Sequence, residues 1–205
     1  MGTAVYYAGS VVRDGANSQY HAVDSRIVGR KPASLDWAAA AALPLTALTA
    51  YECLFDRLRI PRDGSAAGQA LFILNGAGGV GSIAIQLAKA LAPGLRVIAS
   101  AGRPDSFAWV TKMGADAVIS HAEPWKPQLE ALGQRGGQVN YILLAHDTAS
   151  VWGQTMDAVA PLGAVTTIVL TPGAGSTLDV NPMRAKVRAA GSRVTTARRG
   201  CGGSV

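Results

Sequence analysis

From Ala70 onward, short apolar runs alternate with segments in which apolar residues recur at helical spacing. Such alternation is typical of an α/β fold with a parallel sheet. The runs are almost continuously apolar, as expected for strands that helices cover on both faces of a doubly wound sheet. The pattern predicts strands at 70–75, 95–100, 117–120, 139–144 and 163–169, with helices at about 79–92, 104–113, 124–133 and 149–159.

Before Ala70 the pattern is weaker. Short runs at 5–7 and 20–23 predict two or three strands, and Asp14-Gly15 supplies a turn signal between them. Strands in such small number cannot bury a core of their own. Helices are expected to start near Asp36 and at Pro44. The second is expected to bury one apolar side, made of Leu45, Leu48, Leu54, Phe55 and Leu58.

The first long strand runs into a Gly-x-Gly-x-x-Gly turn formed by Gly76, Gly78 and Gly81. In such a turn the first glycine permits a tight exit from the strand, the second lets the backbone approach a pyrophosphate, and the third allows close packing of helix on strand. Free N–H groups of the turn, including those of Gly79 and Val80, would then hold the phosphate at the positive end of the helix dipole. A chain with 24 glycines produces this spacing by accident, so the alternative is a turn that binds nothing. The strand before it and the helix after it favour a dinucleotide site.

Charge distribution argues against a nucleic-acid partner. The net charge is +6, but residues 1–183 carry thirteen basic and thirteen acidic side chains. All six surplus charges lie beyond Met183, in a segment without acids. That segment, 184–205, is expected to be a disordered basic tail because it lacks apolar periodicity. The alternative is a tail that contacts phosphate or a membrane.

The cysteine and histidine content predicts no zinc site. Cys53 and Cys201 make neither a disulfide framework nor a set of four ligands, and His21 and His121 lack metal-ligand spacing with them. Cys53 falls on a predicted helix and is expected to be a buried small hydrophobe rather than a nucleophile.

No membrane partner is expected either. The N-terminus lacks the basic and apolar regions of a signal peptide, and the longest apolar stretches are interrupted by Pro44, Thr46, Glu52 or Asn75. A reducing cytoplasm is the expected location.

Several motifs together resemble the medium-chain dehydrogenase/reductase superfamily, in its quinone oxidoreductase-like, zinc-type alcohol dehydrogenase-like branch. They are Val-Tyr-Tyr-Ala-Gly at 5–9, the segment 17–32, Ala-Ala-Ala-Leu-Pro-Leu-Thr-Ala-Leu-Thr-Ala-Tyr at 40–51, the glycine turn and its helix at 76–89, and Lys-Met-Gly-Ala-Asp at 112–116. The resemblance extends over about residues 4–186.

The resemblance implies a GroES-like catalytic domain followed by a Rossmann domain that transfers hydride from a nicotinamide cofactor. It divides this chain into a remnant of the GroES-like β domain at 1–45, a Rossmann dinucleotide-binding domain at 46–183, and the tail. The family pattern starts before Met1 and continues past Lys186, so the chain is expected to be a reductase truncated at both ends.

The end of the second long strand predicts which nicotinamide cofactor binds. An acid there would take the ribose hydroxyls of NAD, but this chain has Ala101-Gly102-Arg103 and no carboxylate. Arg103 can donate charge-assisted hydrogen bonds to a 2′-phosphate, which favours NADPH over NADH. Similar reductases often have a serine where Gly102 stands, so one hydroxyl donor is absent. The alternative for Arg103 is an exposed arginine at a helix start.

Two further cofactor contacts are predicted. The resemblance places the Thr49 hydroxyl near the nicotinamide; the alternative is a threonine bonded back to its own helix. His146 follows the fourth long strand at the edge where a ligand crevice forms, although a loop histidine without a catalytic role is the alternative. No catalytic residue is assigned.

The resemblance thus predicts an NADP(H)-dependent oxidoreductase of the quinone reductase type, acting on a quinone, enone or carbonyl compound, and is compatible with a homo-oligomer. The alternative from a different class is a non-catalytic nucleotide- or partner-binding module, or an unstable fragment.

Overall fold

The structure, a computed structural model, describes residues 2–10, 13–168 and 193–196. Its strands are β1 (Val5–Tyr6), β2 (Gly29–Arg30), β3 (Ala70–Leu74), β4 (Arg96–Ala101), β5 (Ala117–Ser120), β6 (Val139–Leu144), β7 (Val159–Thr167) and β8 (Arg193–Thr196). Its α-helices are α1 (Trp37–Ala42), α2 (Pro44–Tyr51), α3 (Gly79–Leu91), α4 (Pro104–Lys112), α5 (Trp125–Ala131) and α6 (Thr148–Ala158). A π-helical segment, Glu52–Arg57, continues α2.

The central sheet has the strand order β5-β4-β3-β6-β7-β8, and every pair of neighbours is parallel. The order reverses at β3, because β4 and β5 lie on one side of it and β6 and β7 on the other. In open α/β sheets a ligand crevice forms at such a switch point, beyond the carboxyl ends of the strands. The predicted Rossmann-type, doubly wound fold is confirmed.

The core lies on both faces of this sheet. Leu71 and Ile73 of β3 pack in a cluster with residues of α2 and α3, whereas Phe72 packs on the other face with Trp125 of α5. All five residues of β3 are buried. The continuous apolar run therefore reflects a strand with no solvent face.

The N-terminal segment differs from its prediction. A strand is present at Val5–Tyr6, but its antiparallel partner is Gly29–Arg30. Residues 20–23 form no strand, and Tyr20 is 91% exposed. Aromatic and β-branched residues alone do not make a strand where no neighbouring surface buries them.

The predicted buried side of α2 is partly wrong. Leu54 and Leu58 are buried, but Leu45 and Leu48 are 68% and 54% exposed. The helix and its π-helical continuation turn a different stripe toward the domain, with Ala50 and Cys53 fully buried. These small side chains allow α2 to approach α3 closely.

The stretch that Pro44, Thr46 and Glu52 interrupt is nevertheless one long helical segment. In the described part of the chain, the helical segment Trp37–Arg57 has 21 residues and a mean hydropathy of 1.4, which suffices for crossing by length and composition alone. Pro44 does not end the segment, because it occupies the first turn of α2, where its missing N–H is tolerated. In this structure 28% of the segment's most apolar window is buried within the protein.

Most of the predicted tail, 184–205, and the last part of the predicted Rossmann domain, 169–183, lie outside the described residues. Four residues of the tail, Arg193–Thr196, differ from the prediction of disorder because they form β8 beside β7. Val194, Thr195 and Thr196 are β-branched, and the edge of β7 offers unpaired backbone groups.

Candidate nucleotide-binding site

The N-terminus of α3 lies directly after β3, at the switch point of the sheet. Gly78 is the N-cap residue, with extended backbone angles, and no side chain caps the helix. The first N–H groups of a helix have no acceptor within the helix and carry the positive end of its dipole. The turn therefore presents donors and partial positive charge toward the crevice, as an anion site requires.

The glycines of the turn are required by close packing. A Cβ at Gly81 would lie 2.5 Å from the carbonyl oxygen of Asn75, and one at Gly76 would lie 2.7 Å from the Cβ of Ala99. The contacts at Gly81 are with the backbone of the turn itself and are compatible with the packing role predicted for this glycine. The tight exit from β3 was predicted at Gly76, and the residue with left-handed backbone there is Asn75, whose φ is 59°. Asparagine tolerates the left-handed region because its short polar side chain bonds locally.

Asn75 also ties the turn to both neighbouring strands. Its N–H donates to Ser100 Oγ of β4 at 3.0 Å, and its Nδ2 donates to the carbonyl of Ala145, after β6, at 3.3 Å. The N–H of Gly76 donates to the Ser100 carbonyl at 2.9 Å. Sequence reasoning missed Asn75 and Ser100, since only the strand order places their partners side by side. The turn is therefore held rigidly between β4 and β6.

Helix α2 borders the turn from the other side. The Cγ2 methyl of Thr46 would be 3.2 Å from a Cβ at Gly79, so this threonine faces the start of α3. Thr49 lies one turn further along α2, and its hydroxyl donates to the Leu45 carbonyl at 2.8 Å. The helix-bonded alternative for Thr49 is thus present in the structure. Its contact with a nicotinamide stays a prediction.

The end of β4 has no carboxylate, and its two following residues define an open corner. Arg103 is exposed and is the N-cap residue of α4. A Cβ at Gly102 would lie 2.5 Å from Nε2 of His121, so the His121 ring fills the space of a side chain at that position. Sequence reasoning considered His121 only as a metal ligand and missed this position.

The structure brings a second histidine to the same edge. His146 is exposed after β6, and its Nδ1 accepts the N–H of Asp147 at 2.6 Å. Burial lowers the pKa of His121, and the charge of His146 lowers that pKa further.

Cys53 has the properties of a core residue. It is fully buried, and burial raises the pKa of its thiol to about 11. The prediction that Cys53 is a buried small hydrophobe is confirmed, and a thiol in this state is a poor nucleophile at neutral pH. Within residues 2–10, 13–168 and 193–196, no group of three or more His, Cys, Asp or Glu side chains is arranged to hold a metal.

A cavity of about 640 Å³ lies elsewhere, on the N-terminal segment. Its lining comes from residues between Arg13 and Ala22, and no residue of the glycine turn contributes to it. The turn, not this cavity, carries the features of a phosphate site.

Comparison with known families shows which family the chain belongs to. The model of the zinc-binding dehydrogenase family matches residues 79–200, which is more than half of the chain. The chain belongs to this family. It is therefore a member of the medium-chain dehydrogenase/reductase superfamily, as its motifs predicted.

Similar proteins include a zinc-type alcohol dehydrogenase-like protein of Staphylococcus epidermidis, 40% identical over 186 residues. That alignment covers 90% of this chain but 53% of the relative, so the chain spans about half the length of the relative. The NADPH-dependent alkenal/one oxidoreductase of Arabidopsis thaliana is 38% identical over 109 residues, which are 53% of this chain and 26% of that protein.

Solved structures give the same picture. A candidate zinc-dependent alcohol dehydrogenase from Rhizobium etli CFN 42 superposes with a TM-score of 0.83 at 40% identity, covering 95% of this chain and 54% of that one. The quinone oxidoreductase of Escherichia coli, solved with NADPH, superposes with a TM-score of 0.77 at 26% identity, covering 97% of this chain and 57% of that one.

Proposed function

We propose that this chain forms the cofactor-binding part of an NADP(H)-dependent oxidoreductase of the quinone reductase type, with a quinone, enone or carbonyl compound as hydride acceptor. One observation carries the proposal: the uncapped N-terminus of α3 opens at the switch point between β3 and β6. The acceptor class is supported by similar proteins named quinone oxidoreductase, alkenal/one oxidoreductase and 2-methylene-furan-3-one reductase.

The residues at the site fit a dinucleotide. The pyrophosphate would lie against the N–H groups of Gly79, Val80 and Gly81, where the helix dipole favours negative charge. A 2′-phosphate would lie beyond the end of β4, where Gly102 and the exposed Arg103 follow the strand directly. When bound, the dihydronicotinamide supplies one hydride to the acceptor, which takes a proton from solvent, and NADP⁺ remains.

Zinc has no part in the proposal, although the family name includes it. Within the described ranges no set of three side chains suits a metal, and hydride transfer to an enone or quinone needs no ion at the acceptor when protein donors orient it. A cytoplasmic location is likewise proposed, because a chain with two cysteines has no disulfide framework.

Calorimetric titration of NADPH and NADH tests the cofactor part. We expect NADPH to bind about tenfold more tightly, the effect of one charge-assisted hydrogen bond. Arg103→Ala should remove most of this preference and leave NADH binding nearly unchanged. Arg135→Ala is the matched control, because Arg135 is also exposed but lies before β6, at the opposite edge of the sheet. Equal affinity of the unsubstituted protein for both cofactors would overturn the NADPH preference.

Incubation with NADPH and either a quinone or an α,β-unsaturated ketone tests the catalytic part. Oxidation of NADPH that requires the acceptor supports an oxidoreductase. Tight binding of NADPH without oxidation by any acceptor favours the non-catalytic nucleotide-binding module, which the coverage of about half of the relatives also allows.

A further inference from the structure

His121 occupies the corner where the proposed 2′-phosphate would lie. It is the first residue after β5, and its N–H donates to the carbonyl of Ala101, the last residue of β4, at 3.2 Å. Because β5 pairs directly with β4, with Ser120 opposite Ala101, the side chain of His121 comes to the end of β4. The pairing of β5 with β4 thus places His121 beside Ala101, although nineteen residues separate the two in the sequence.

The two ring nitrogens of His121 have different surroundings. Nδ1 lies 3.4 Å from Oγ of Ser100, a fully buried residue. Nε2 lies where the Cβ of a larger residue would stand at Gly102. Ser100 Oγ accepts the N–H of Asn75, and its own proton can be donated to Nδ1. In the tautomer that has Nδ1 as the acceptor, Nε2 carries the ring proton and offers a donor at the open corner.

We propose that His121 is a second ligand of the cofactor's 2′-phosphate and that protonation of its ring makes the preference for NADPH depend on pH. The inference rests on the proposed function, since it assigns a residue to the same cofactor. It also explains how the chain can lack a side-chain donor at Gly102: the donor comes from the neighbouring strand.

The charges near the ring set the direction of the effect. On the segments next to it the charged or titratable side chains are Arg103, Asp105, Glu123, His146 and Asp147. Burial and then His146 lower the pKa of His121 in the free protein below its ordinary value. A phosphate with two negative charges favours the imidazolium and raises that pKa on binding.

Binding of NADPH should therefore take up a proton. The charge-assisted part of the His121 contribution is largest at low pH, where its ring is protonated, and is lost as pH rises through the pKa of the bound state. NADH lacks the 2′-phosphate and should not share this dependence.

The decisive experiment measures dissociation constants of NADPH and NADH, by calorimetry, between about pH 6 and about pH 8.5, for the unsubstituted protein and for His121→Gln. The 2′-phosphate has its own ionisation near pH 6, about the second pKa of a phosphate monoester. That ionisation affects both proteins equally, so the ratio of their NADPH constants isolates His121. At the acidic end we expect the dissociation constant for NADPH to be about ten times larger for His121→Gln than for the unsubstituted protein, the effect of one charge-assisted hydrogen bond. At the alkaline end the two dissociation constants should be about equal.

Two further variants make the test specific. His121→Lys keeps a positive charge through this range and should retain the preference for NADPH at alkaline pH. His21→Gln removes a histidine that bonds to Tyr7 in the N-terminal segment and should behave like the unsubstituted protein. NADH binding by each variant checks that the site is folded.

A titration of the His121 ring by NMR, with and without NADPH, gives an independent readout. Its pKa should rise when NADPH is present and stay unchanged with NADH. An unchanged pKa, or a ratio of the NADPH constants that does not vary with pH, would overturn the role of His121 while leaving the proposed function standing. Failure of the unsubstituted protein to bind either cofactor would instead overturn the proposed function.

Discussion

The parallel sheet and the N-terminal segment, residues 2–36, use short strands in very different settings. β3 pairs with strands on both sides, is covered on both faces, and has every residue buried. β1 pairs only with β2, over two residue pairs, and no described residue before Trp37 is buried. Apolar burial thus stabilises the sheet, whereas the conformation of the N-terminal segment is stabilised by only a few hydrogen bonds.

The difference shows where a sequence pattern carries information. A strand displaced from the sheet would expose its whole apolar run to water. The apolar pattern therefore predicts the strands of the sheet correctly. In the segment no such penalty exists, and the strand expected at 20–23 is absent.

Truncating one aromatic side chain in each region should give the largest difference in the free energy of unfolding between the two regions. Phe72 is fully buried and packs edge-on against Trp125, with ring centroids 5.0 Å apart. Phe72→Ala should lower the free energy of unfolding by about 4 kcal/mol, through lost burial and the cavity left behind. Tyr20→Ala, at a side chain that is 91% exposed, should change it by less than about 0.5 kcal/mol. Urea unfolding followed by circular dichroism measures both; similar losses would show that the segment shares the core.

A glycine substitution in each region should give the next largest difference. A Cβ at Gly81 would meet backbone atoms of Asn75 and Gly76 at 2.5 to 2.8 Å. Because these atoms belong to the turn itself, Gly81→Ala should destabilise the protein by about 3 kcal/mol and weaken NADPH binding. At Gly15 an added Cβ would meet nothing within 4 Å, so Gly15→Ala is the matched control. Normal NADPH binding by Gly81→Ala would show that the packing of the turn does not shape the site.

A carboxylate in each region gives the smallest difference. Asp116 accepts the N–H of Val97 at 2.7 Å and pairs with Lys89 Nζ at 2.7 Å. Asp116→Asn should cost about 1 kcal/mol in unfolding free energy, and less at high salt, because the ion pair is partly exposed. Asp24 pairs with Arg26, whose side chain is 86% exposed, two residues away in the same exposed turn, and Asp24→Asn should leave the unfolding midpoint nearly unchanged. An equal shift for both variants would contradict the distinction between the regions.

The sequence predicted an element well where burial restricts it to one position. The strand predicted at 117–120 is found at Ala117–Ser120, and the helix predicted at 104–113 is found at Pro104–Lys112. The apolar side of α2 was not predictable at Leu45 and Leu48, because a helix that is apolar on several sides does not reveal which side meets α3.

The sequence by itself determined the features that depend on near neighbours in the chain. These are the alternation of strands and helices, the glycine turn that opens α3, and the lack of an acid at the end of β4. Each follows from local backbone geometry or from burial within one element.

Only the tertiary structure decided which residues meet at the site. It placed Ser100 beneath Asn75, Thr46 beside Gly79, and the ring of His121 in the space next to Gly102. These pairs come from different elements, and they meet because parallel strands align their carboxyl ends at one edge of a sheet. Strand order is a property of the packed chain as a whole, and no local pattern in the sequence encodes it.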